Sequence, residues 1–80
     1  MTFTVYVLRD ENGKFYKGFT NNLERRLLEH RSGHTRSTRW MQNFKVVYTE
    51  KYATFEEARA RELYLKSAAG RRFIKKILGI

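Results

Sequence analysis

The chain has 80 residues, 41% of them hydrophobic, and no cysteine. This composition predicts a single domain over residues 1–80 that relies on apolar packing, excludes disulfides and thiolate-bound metals, and is compatible with a reducing compartment. The first residues lack the pattern of a signal peptide and every apolar run is far too short to span a membrane, so we expect a cytoplasmic protein. Its 17 Lys and Arg against 8 Asp and Glu give a net charge of +9. That charge favours a polyanionic partner, nucleic acid first and an anionic membrane or an acidic protein after it.

The N-terminal residues predict a β-hairpin. Phe3–Leu8 and Phe15–Phe19 are rich in β-branched and aromatic residues, as strands are. The Asn-Gly pair at 12–13 is typical of a tight turn, because both positions tolerate positive φ. A strict two-residue turn would put Tyr6 and Tyr16 on opposite faces, whereas a loop one residue longer would put them on the same face. The hairpin pattern by itself leaves both registers open.

The next segment predicts the first helix, with Asn21 as its cap and Glu24 completing a capping box. This helix should run to about Arg31 and stop at Gly33. Residues 34–43 show no clear period and predict a loop.

Two arginines of this helix differ in their setting. Arg25 has Glu29 four residues further on, which predicts a surface ion pair. Arg26 has no acid four residues away on either side and borders the apolar stripe, a position suited to a bidentate phosphate contact. His30 lies on the same face one turn later. It is either a second phosphate contact or proton-transfer group, or simply a packing residue.

The C-terminal half predicts one strand and two helices. Phe44–Glu50 alternates as a strand does, and Thr54 with Glu57 forms a second capping box. The helix that follows should reach about Ser67 and stop around Gly70. Arg71–Leu78 then predicts a short, basic, amphipathic helix. The order β-β-α-β-α-α predicts an α+β fold, in which helices cover a small, largely antiparallel sheet.

The second helix carries an acid on its apolar face. Its stripe has the 3-4 spacing of one helical face and consists of Phe55, Ala58, Glu62, Leu65 and Ala69. A carboxylate placed there is costly unless it is paired or binds a cation. Glu62 therefore forms an internal salt bridge, to Arg26 or Lys66, or it serves a Mg²⁺ ion, which often takes only one or two protein carboxylates.

These segments together resemble the GIY-YIG nuclease superfamily, in particular its short single-domain bacterial members. Val5-Tyr6-Val7 stands where the family has GIY, and Tyr16-Lys17-Gly18 stands where it has YIG. Residues 19–30 resemble the family's first helix, with its Arg and His at Arg26 and His30. Residues 54–66 resemble its second helix, with the metal-binding Glu at Glu62.

The resemblance implies a three-stranded antiparallel sheet flanked by helices. It also implies a metal-dependent endonuclease that hydrolyses phosphodiester bonds of nucleic acid with low sequence specificity, in repair or DNA processing, and DNA is the expected nucleic acid. Tyr6 would act as general base or orient the attacking water, and Tyr16 would bind the phosphate or help position that water. Arg26, assisted by His30, would stabilise charge on the phosphate, and Glu62 would hold one Mg²⁺ or Mn²⁺ ion. The resemblance favours the longer hairpin loop, and the nearby cation and arginine should favour the phenolate form of Tyr6.

The remaining cations are expected to hold the substrate through its phosphates, with weak sequence preference because no base-reading motif is present. They are Lys17, Arg31, Arg36, Arg39, Lys66, Arg71, Arg72, Lys75 and Lys76. Trp40 either stacks on a base or anchors the core.

The C-terminal Asn of several family members has no counterpart here, which supports a catalytically inactive nucleic-acid-binding module as the alternative. A membrane-surface or acidic-partner binder is a further alternative, because Arg71–Ile80 is basic and amphipathic.

Overall fold

The computed structural model describes residues 1–33, 41 and 43–80. Within these residues the chain follows the predicted order β-β-α-β-α-α. The elements are β1 (Phe3–Arg9), β2 (Phe15–Thr20), α1 (Leu23–Arg31), β3 (Lys45–Tyr52), α2 (Phe55–Lys66) and α3 (Ala68–Leu78). In the described part of the chain, no helix has the length and apolar character needed to cross a membrane.

The strands form one antiparallel sheet in the order β2-β1-β3, so that β2 is an edge strand. In the β1–β2 hairpin Leu8 pairs with Tyr16, and Tyr6 pairs with Gly18. This register confirms the longer loop and places both tyrosines on one face of the sheet.

Asp10 shapes the loop of this hairpin. Its carboxylate oxygen Oδ1 accepts hydrogen bonds from the backbone N–H groups of Asn12 (2.9 Å) and Lys14 (2.8 Å). An aspartate that binds the backbone two and four residues on stabilises a wider turn. The strands therefore do not meet directly at the Asn-Gly pair.

Helices cover both faces of the sheet. On one face, Val5 and Val7 pack against α2 and α3 in a cluster completed by Ala58, Leu65 and Ile74. On the other face, Tyr6 and Leu8 pack against α1 and the segment before β3 in a cluster that includes Leu23, Leu27, Met41 and Phe44. Because successive strand residues point to opposite faces, β1 is buried on both sides and contributes to both cores.

The start of α1 differs from its prediction. Asn22, not Asn21, caps the helix, and its Oδ1 accepts a hydrogen bond from the Arg25 N–H at 3.1 Å. The predicted capping box of Asn21 with Glu24 is therefore wrong, because the extended backbone that a cap needs occurs one residue later. The predicted end is confirmed, since α1 stops at Arg31 and Gly33 takes a positive φ of 77°.

The junction of α2 and α3 also differs from its prediction. Thr54 caps α2 as expected, accepting from the Glu57 N–H at 3.2 Å. Gly70, however, does not stop α2 but lies inside α3, which begins at Ala68, three residues before the predicted Arg71. The chain re-enters a helix at once because Ser67 Oγ accepts a hydrogen bond from the Gly70 N–H at 3.2 Å.

Gly70 is needed where the two helices meet. A Cβ at this position would lie 2.4 Å from Leu65 Cα and 2.1 Å from the Tyr64 carbonyl oxygen. Contacts this close have no room for a side chain, so glycine lets the backbones of α2 and α3 touch.

An ion pair between Arg61 and Glu50 links α2 to β3. Arg61 donates Nε to Glu50 Oε1 at 2.9 Å and Nη2 to Glu50 Oε2 at 3.0 Å, a bidentate contact. The hydroxyls of Tyr48 and Tyr52 donate to the same carboxylate. β3 runs from Lys45 to Tyr52 rather than over the predicted Phe44–Glu50, and this longer course brings Tyr52 to the network.

Candidate active site

Tyr6 and Tyr16 meet because of how β1 and β2 pair. Their ring centroids lie 6.2 Å apart. Gly18, opposite Tyr6, makes room for both: a Cβ there would lie 2.8 Å from Tyr6 Oη and 3.0 Å from Tyr16 Cε1. Sequence reasoning did not assign this role to Gly18. The feature that could have indicated this role is the position of Gly18 opposite Tyr6 in the register with the longer loop.

Helix α1 places His30 against the two tyrosines. His30 Nε2 lies 2.9 Å from Tyr6 Oη, and the His30 ring centroid lies 5.0 Å from that of Tyr16. Tyr6 and His30 are only 1% and 2% exposed. The packing and the chemical interpretations of His30 are thus compatible, because the same buried ring fills space and meets a tyrosine hydroxyl.

Burial sets the protonation of this pair. It raises the pKa of Tyr6 to about 12, although the neighbouring Arg26 acts to lower it. Burial also lowers the pKa of His30, and the charge of Arg26 lowers it further. At neutral pH Tyr6 is therefore a phenol and His30 a neutral imidazole. Arg26 alone does not favour the Tyr6 phenolate, because desolvation outweighs its effect, and the expected effect of a bound cation stays a prediction.

Arg26 lies at the edge of the cluster and is held by Glu29. Its Nη1 donates to Glu29 Oε1 at 2.9 Å, and this hydrogen bond raises the pKa of Arg26 above its usual value. The sequence-based pairing of Glu29 with Arg25 is wrong, because residues three apart on a helix are neighbours just as residues four apart are. The two side chains are 35% and 37% exposed, so the ion pair faces water and contributes little to stability.

Glu62 lies in a different layer from the tyrosines. It projects from α2, which packs on the opposite face of the sheet. Of the two salt-bridge partners considered, Arg26 and Lys66, the structure has Lys66, with Nζ 3.7 Å from Glu62 Oε2. Burial lowers the pKa of Lys17 on β2, and the charges of Arg71 and Lys66 lower it further. The Glu62–Lys66 pair and the tyrosine cluster therefore flank the same edge strand, β2, from its two faces.

The side chains available as ligands determine which metal ion the described residues could bind. Among them, no three His, Asp or Glu side chains are placed to hold a metal ion together. Glu62 alone is a single carboxylate whose side chain is 14% exposed. One such carboxylate fits a Mg²⁺ or Mn²⁺ ion that keeps water and phosphate oxygens as its other ligands. Lys66 has to turn away from Glu62 for such an ion to bind.

The cations predicted to hold the substrate occupy several surfaces. One cleft beside β2 is lined by Lys17, Arg71 and Lys75. Arg31 lies over the Phe44 ring, 5.8 Å from its centroid. Arg72 and Lys76 are exposed on α3. The predictions for Arg36, Arg39 and Trp40 lie outside the described residues.

Comparison with known proteins gives consistent similarities. The family model described as the GIY-YIG catalytic domain matches residues 2–76. A UPF0213 protein of Clostridium perfringens is 40% identical over 63 residues, which make up 78% of this chain and 68% of that protein. A UPF0213 protein of Enterococcus faecalis is 42% identical over 64 residues, 76% of this chain and 73% of that protein.

A solved structure shares the fold. The solution NMR structure of a UPF0213 protein from Bacillus halodurans is 30% identical, with a TM-score of 0.60, over 96% of this chain and 85% of that one. The names of these relatives state no activity. The family match, however, spans the two tyrosine strands, α1 and α2. The chain therefore belongs to the GIY-YIG superfamily of nucleases.

Proposed function

We propose that the protein is a metal-dependent endonuclease that hydrolyses phosphodiester bonds of DNA, with weak sequence preference, in DNA repair or processing. The observation that carries the proposal is the buried Tyr6–His30 hydrogen bond of 2.9 Å, with Tyr16 and Arg26 beside it. A phenol, an imidazole and a guanidinium at one place supply a proton path and a positive charge. We place the activity in the cytoplasm, a reducing compartment with which the cysteine-free chain is compatible.

Arg26 and Tyr16 are the proposed phosphate contacts. Both keep part of their surface exposed, whereas Tyr6 and His30 lie behind them. The hydrogen bond of Arg26 to Glu29 faces water and is readily exchanged for one to a phosphate group. A phosphate presents two acceptor oxygens, as a carboxylate does. In that position the guanidinium stabilises the charge that develops on the phosphate during attack.

Tyr6 and His30 are the proposed proton path. With its own proton on Nδ1, neutral His30 accepts a hydrogen bond at Nε2 from the Tyr6 hydroxyl. As water attacks phosphorus and the bond from phosphorus to the leaving oxygen breaks, the proton of the water passes to Tyr6 Oη while the original Tyr6 proton passes to His30 Nε2, and the leaving oxygen takes a proton from solvent. The imidazolium so formed balances the charge, and Tyr6 never has to exist as a phenolate. This route suits a tyrosine whose pKa is raised to about 12.

Glu62 is the proposed metal ligand. A Mg²⁺ or Mn²⁺ ion held by Glu62 would supply Lewis-acid stabilisation of the negative charge that develops in the reaction. Glu62 contributes the fixed negative charge that attracts the cation, and its position by β2 keeps it near the strand that carries Tyr16. Lys66, now bound to Glu62, is then available to a phosphate.

Replacing Glu62 tests the proposal. Glu62→Gln should lower cleavage of plasmid DNA in Mg²⁺ by about 100-fold or more, because the amide lacks the charge that holds the cation. Binding to the same DNA should stay equal or tighten, since Lys66 is released. Glu56→Gln, an exposed change on the same helix, is the matched control and should cut as the unmodified protein does, and EDTA should stop both. Cleavage by Glu62→Gln at the unmodified rate would show that Glu62 holds no catalytic metal.

A nucleic-acid-binding module without catalysis is the second candidate. The near-complete burial of Tyr6 and His30 and the bond between Glu62 and Lys66 favour it, because each keeps a proposed catalytic group from solvent or metal. A protein that binds DNA but leaves plasmid intact in both Mg²⁺ and Mn²⁺ would establish this alternative.

A further inference from the structure

One cleft gathers positive charge on the face of the sheet away from the tyrosines. It has a volume of about 60 Å³ and is lined by Phe15, Lys17, Arg71, Ile74 and Lys75. The base of the cleft is apolar and well packed, since Ile74 is 1% exposed.

The three cations of this cleft are not neutralised by the protein. In the described part of the chain, none of the three salt bridges involves Lys17, Arg71 or Lys75. Lys17 is half-buried, with its Nζ 5.8 Å from the Phe15 ring centroid. Its pKa is lowered by burial first, then by the charges of Arg71 and Lys66. Lys17 and Arg71 are therefore close enough for their charges to repel each other, which costs free energy that a bound anion recovers.

Helix geometry keeps the cluster in place. Arg71 and Lys75 are four residues apart on α3 and therefore share a face, and Ile74 between them anchors that face in the core. Lys17 meets them from β2. Arg72 and Lys76 lie one position round the helix and are outside the lining of this cleft. The cleft is thus lined by three particular cations, and the other cations of the basic helix α3 do not contribute to it.

We propose that Lys17, Arg71 and Lys75 together bind one backbone phosphate of the nucleic acid, separate from the phosphate that is cut. The proposal rests on the proposed function for its choice of polyanion. Tyr16 and Lys17 are successive residues of the edge strand and point to opposite faces. A strand whose scissile phosphate lies at Tyr16 and whose flanking phosphate lies at Lys17 therefore passes around the edge of the sheet at β2.

Salt dependence of binding tests whether the three cations share one phosphate. Fluorescence anisotropy with a labelled DNA duplex, from 50 to 200 mM salt and in EDTA, is measured for Lys17→Met, Arg71→Gln, Lys75→Met and the triple variant. Because the three cations share one phosphate, each single variant should lose at most that one contact, which weakens binding by up to about five- to tenfold near 0.1 M salt and reduces the slope of log affinity against log salt by up to about 1. The triple variant should also lose about 1, whereas three separate phosphates would make it lose about 3.

Exposed cations elsewhere provide the controls. Lys51→Met on β3 and Arg59→Gln on α2 remove the same charges from other surfaces and should change affinity less than twofold. The proposal is overturned if the cleft variants behave as these controls do, if the triple variant loses three units of slope, or if the unmodified protein does not bind DNA. It is also overturned if the cleft variants lose binding to phosphatidylserine vesicles and keep binding to DNA. An unmodified protein that binds DNA without cutting it would refute the nuclease proposal and leave the cleft supported by the binding data.

Discussion

At the scale of single residues, the site depends on two side chains that are almost completely buried. Tyr6 and His30 meet at 2.9 Å inside a protein only a few layers thick. Burial moves both groups toward their neutral forms, raising the pKa of one and lowering that of the other. A neutral donor beside a neutral acceptor leaves the resting site without an isolated charge, which a buried position would penalise.

The pH dependence of cleavage follows from this pair. Because burial lowers the pKa of His30 below its ordinary value of about 6.5, His30 is neutral and able to accept a proton at pH 7 and above. Single-turnover cleavage should therefore be nearly level from pH 7 to 9 and fall only in acid. In His30→Phe, Tyr6 has to ionise unaided, so the lower remaining rate should rise about tenfold per pH unit over this range. An unmodified protein whose rate climbs tenfold per unit would contradict the proton path through His30.

At the scale of secondary-structure elements, α2 is positioned by two different kinds of contact. Its buried stripe, Ala58 and Leu65, packs on the valines of β1. Arg61, on one flank of this stripe, is fixed to Glu50 of β3. Glu62 is the next residue, about 100° further round the helix, and points to the side where Lys66 and β2 lie. The helix thus carries its structural ion pair on one flank and its proposed metal ligand on the other.

Two leucines of α2 test the importance of this packing. Leu65 is 0% exposed and Leu63 is 52% exposed, although they are two positions apart on one helix. Leu65→Ala should lower the free energy of unfolding by about 2–5 kcal/mol, because it leaves a cavity between α2 and the sheet. Leu63→Ala should change it by less than about 0.5 kcal/mol. Urea denaturation followed by circular dichroism measures both, and equal losses would mean that α2 does not pack as described.

At the scale of the whole molecule, a single thin sheet separates two cores and two groups of polar residues. One core lies under α1 and contains Tyr6 and His30, and the other lies under α2 and α3 and is bordered by Glu50. For Glu50, burial alone would raise the pKa, but the hydrogen bonds from Arg61, Tyr48 and Tyr52 outweigh it and the pKa is lowered. His30 on one side of the sheet and Glu50 on the other therefore both resist protonation in the folded state.

The stability of the fold should decrease over two separate pH ranges as the solution is made acid. A group whose pKa is lower in the folded than in the unfolded state stabilises the fold above its unfolded pKa and loses that contribution as pH falls. The unfolded values are about 6.5 for His and 4.3 for Glu. The thermal midpoint should thus be level above pH 7, fall below about pH 6.5 as His30 is protonated, and fall again below about pH 4.3 with Glu50. Glu50→Gln should reduce the second fall, whereas Glu56→Gln should leave both unchanged. A midpoint that stays the same between pH 7 and pH 5 would exclude the contribution of His30.

The sequence by itself determined the order of the elements, because local patterns encode them, whereas the site residues were predicted through the family resemblance. Alternation in β1, the cap at Thr54 and the shared face of Arg26 and His30 are all properties of neighbouring residues. The tertiary structure decided the rest. The hairpin register and the clash that Gly18 avoids depend on strand pairing, and the choice of Lys66 over Arg26 as the partner of Glu62 depends on which layer α2 joins. The raised pKa of Tyr6 depends on burial, which is a sum over contacts from distant parts of the chain and cannot be read from any one segment.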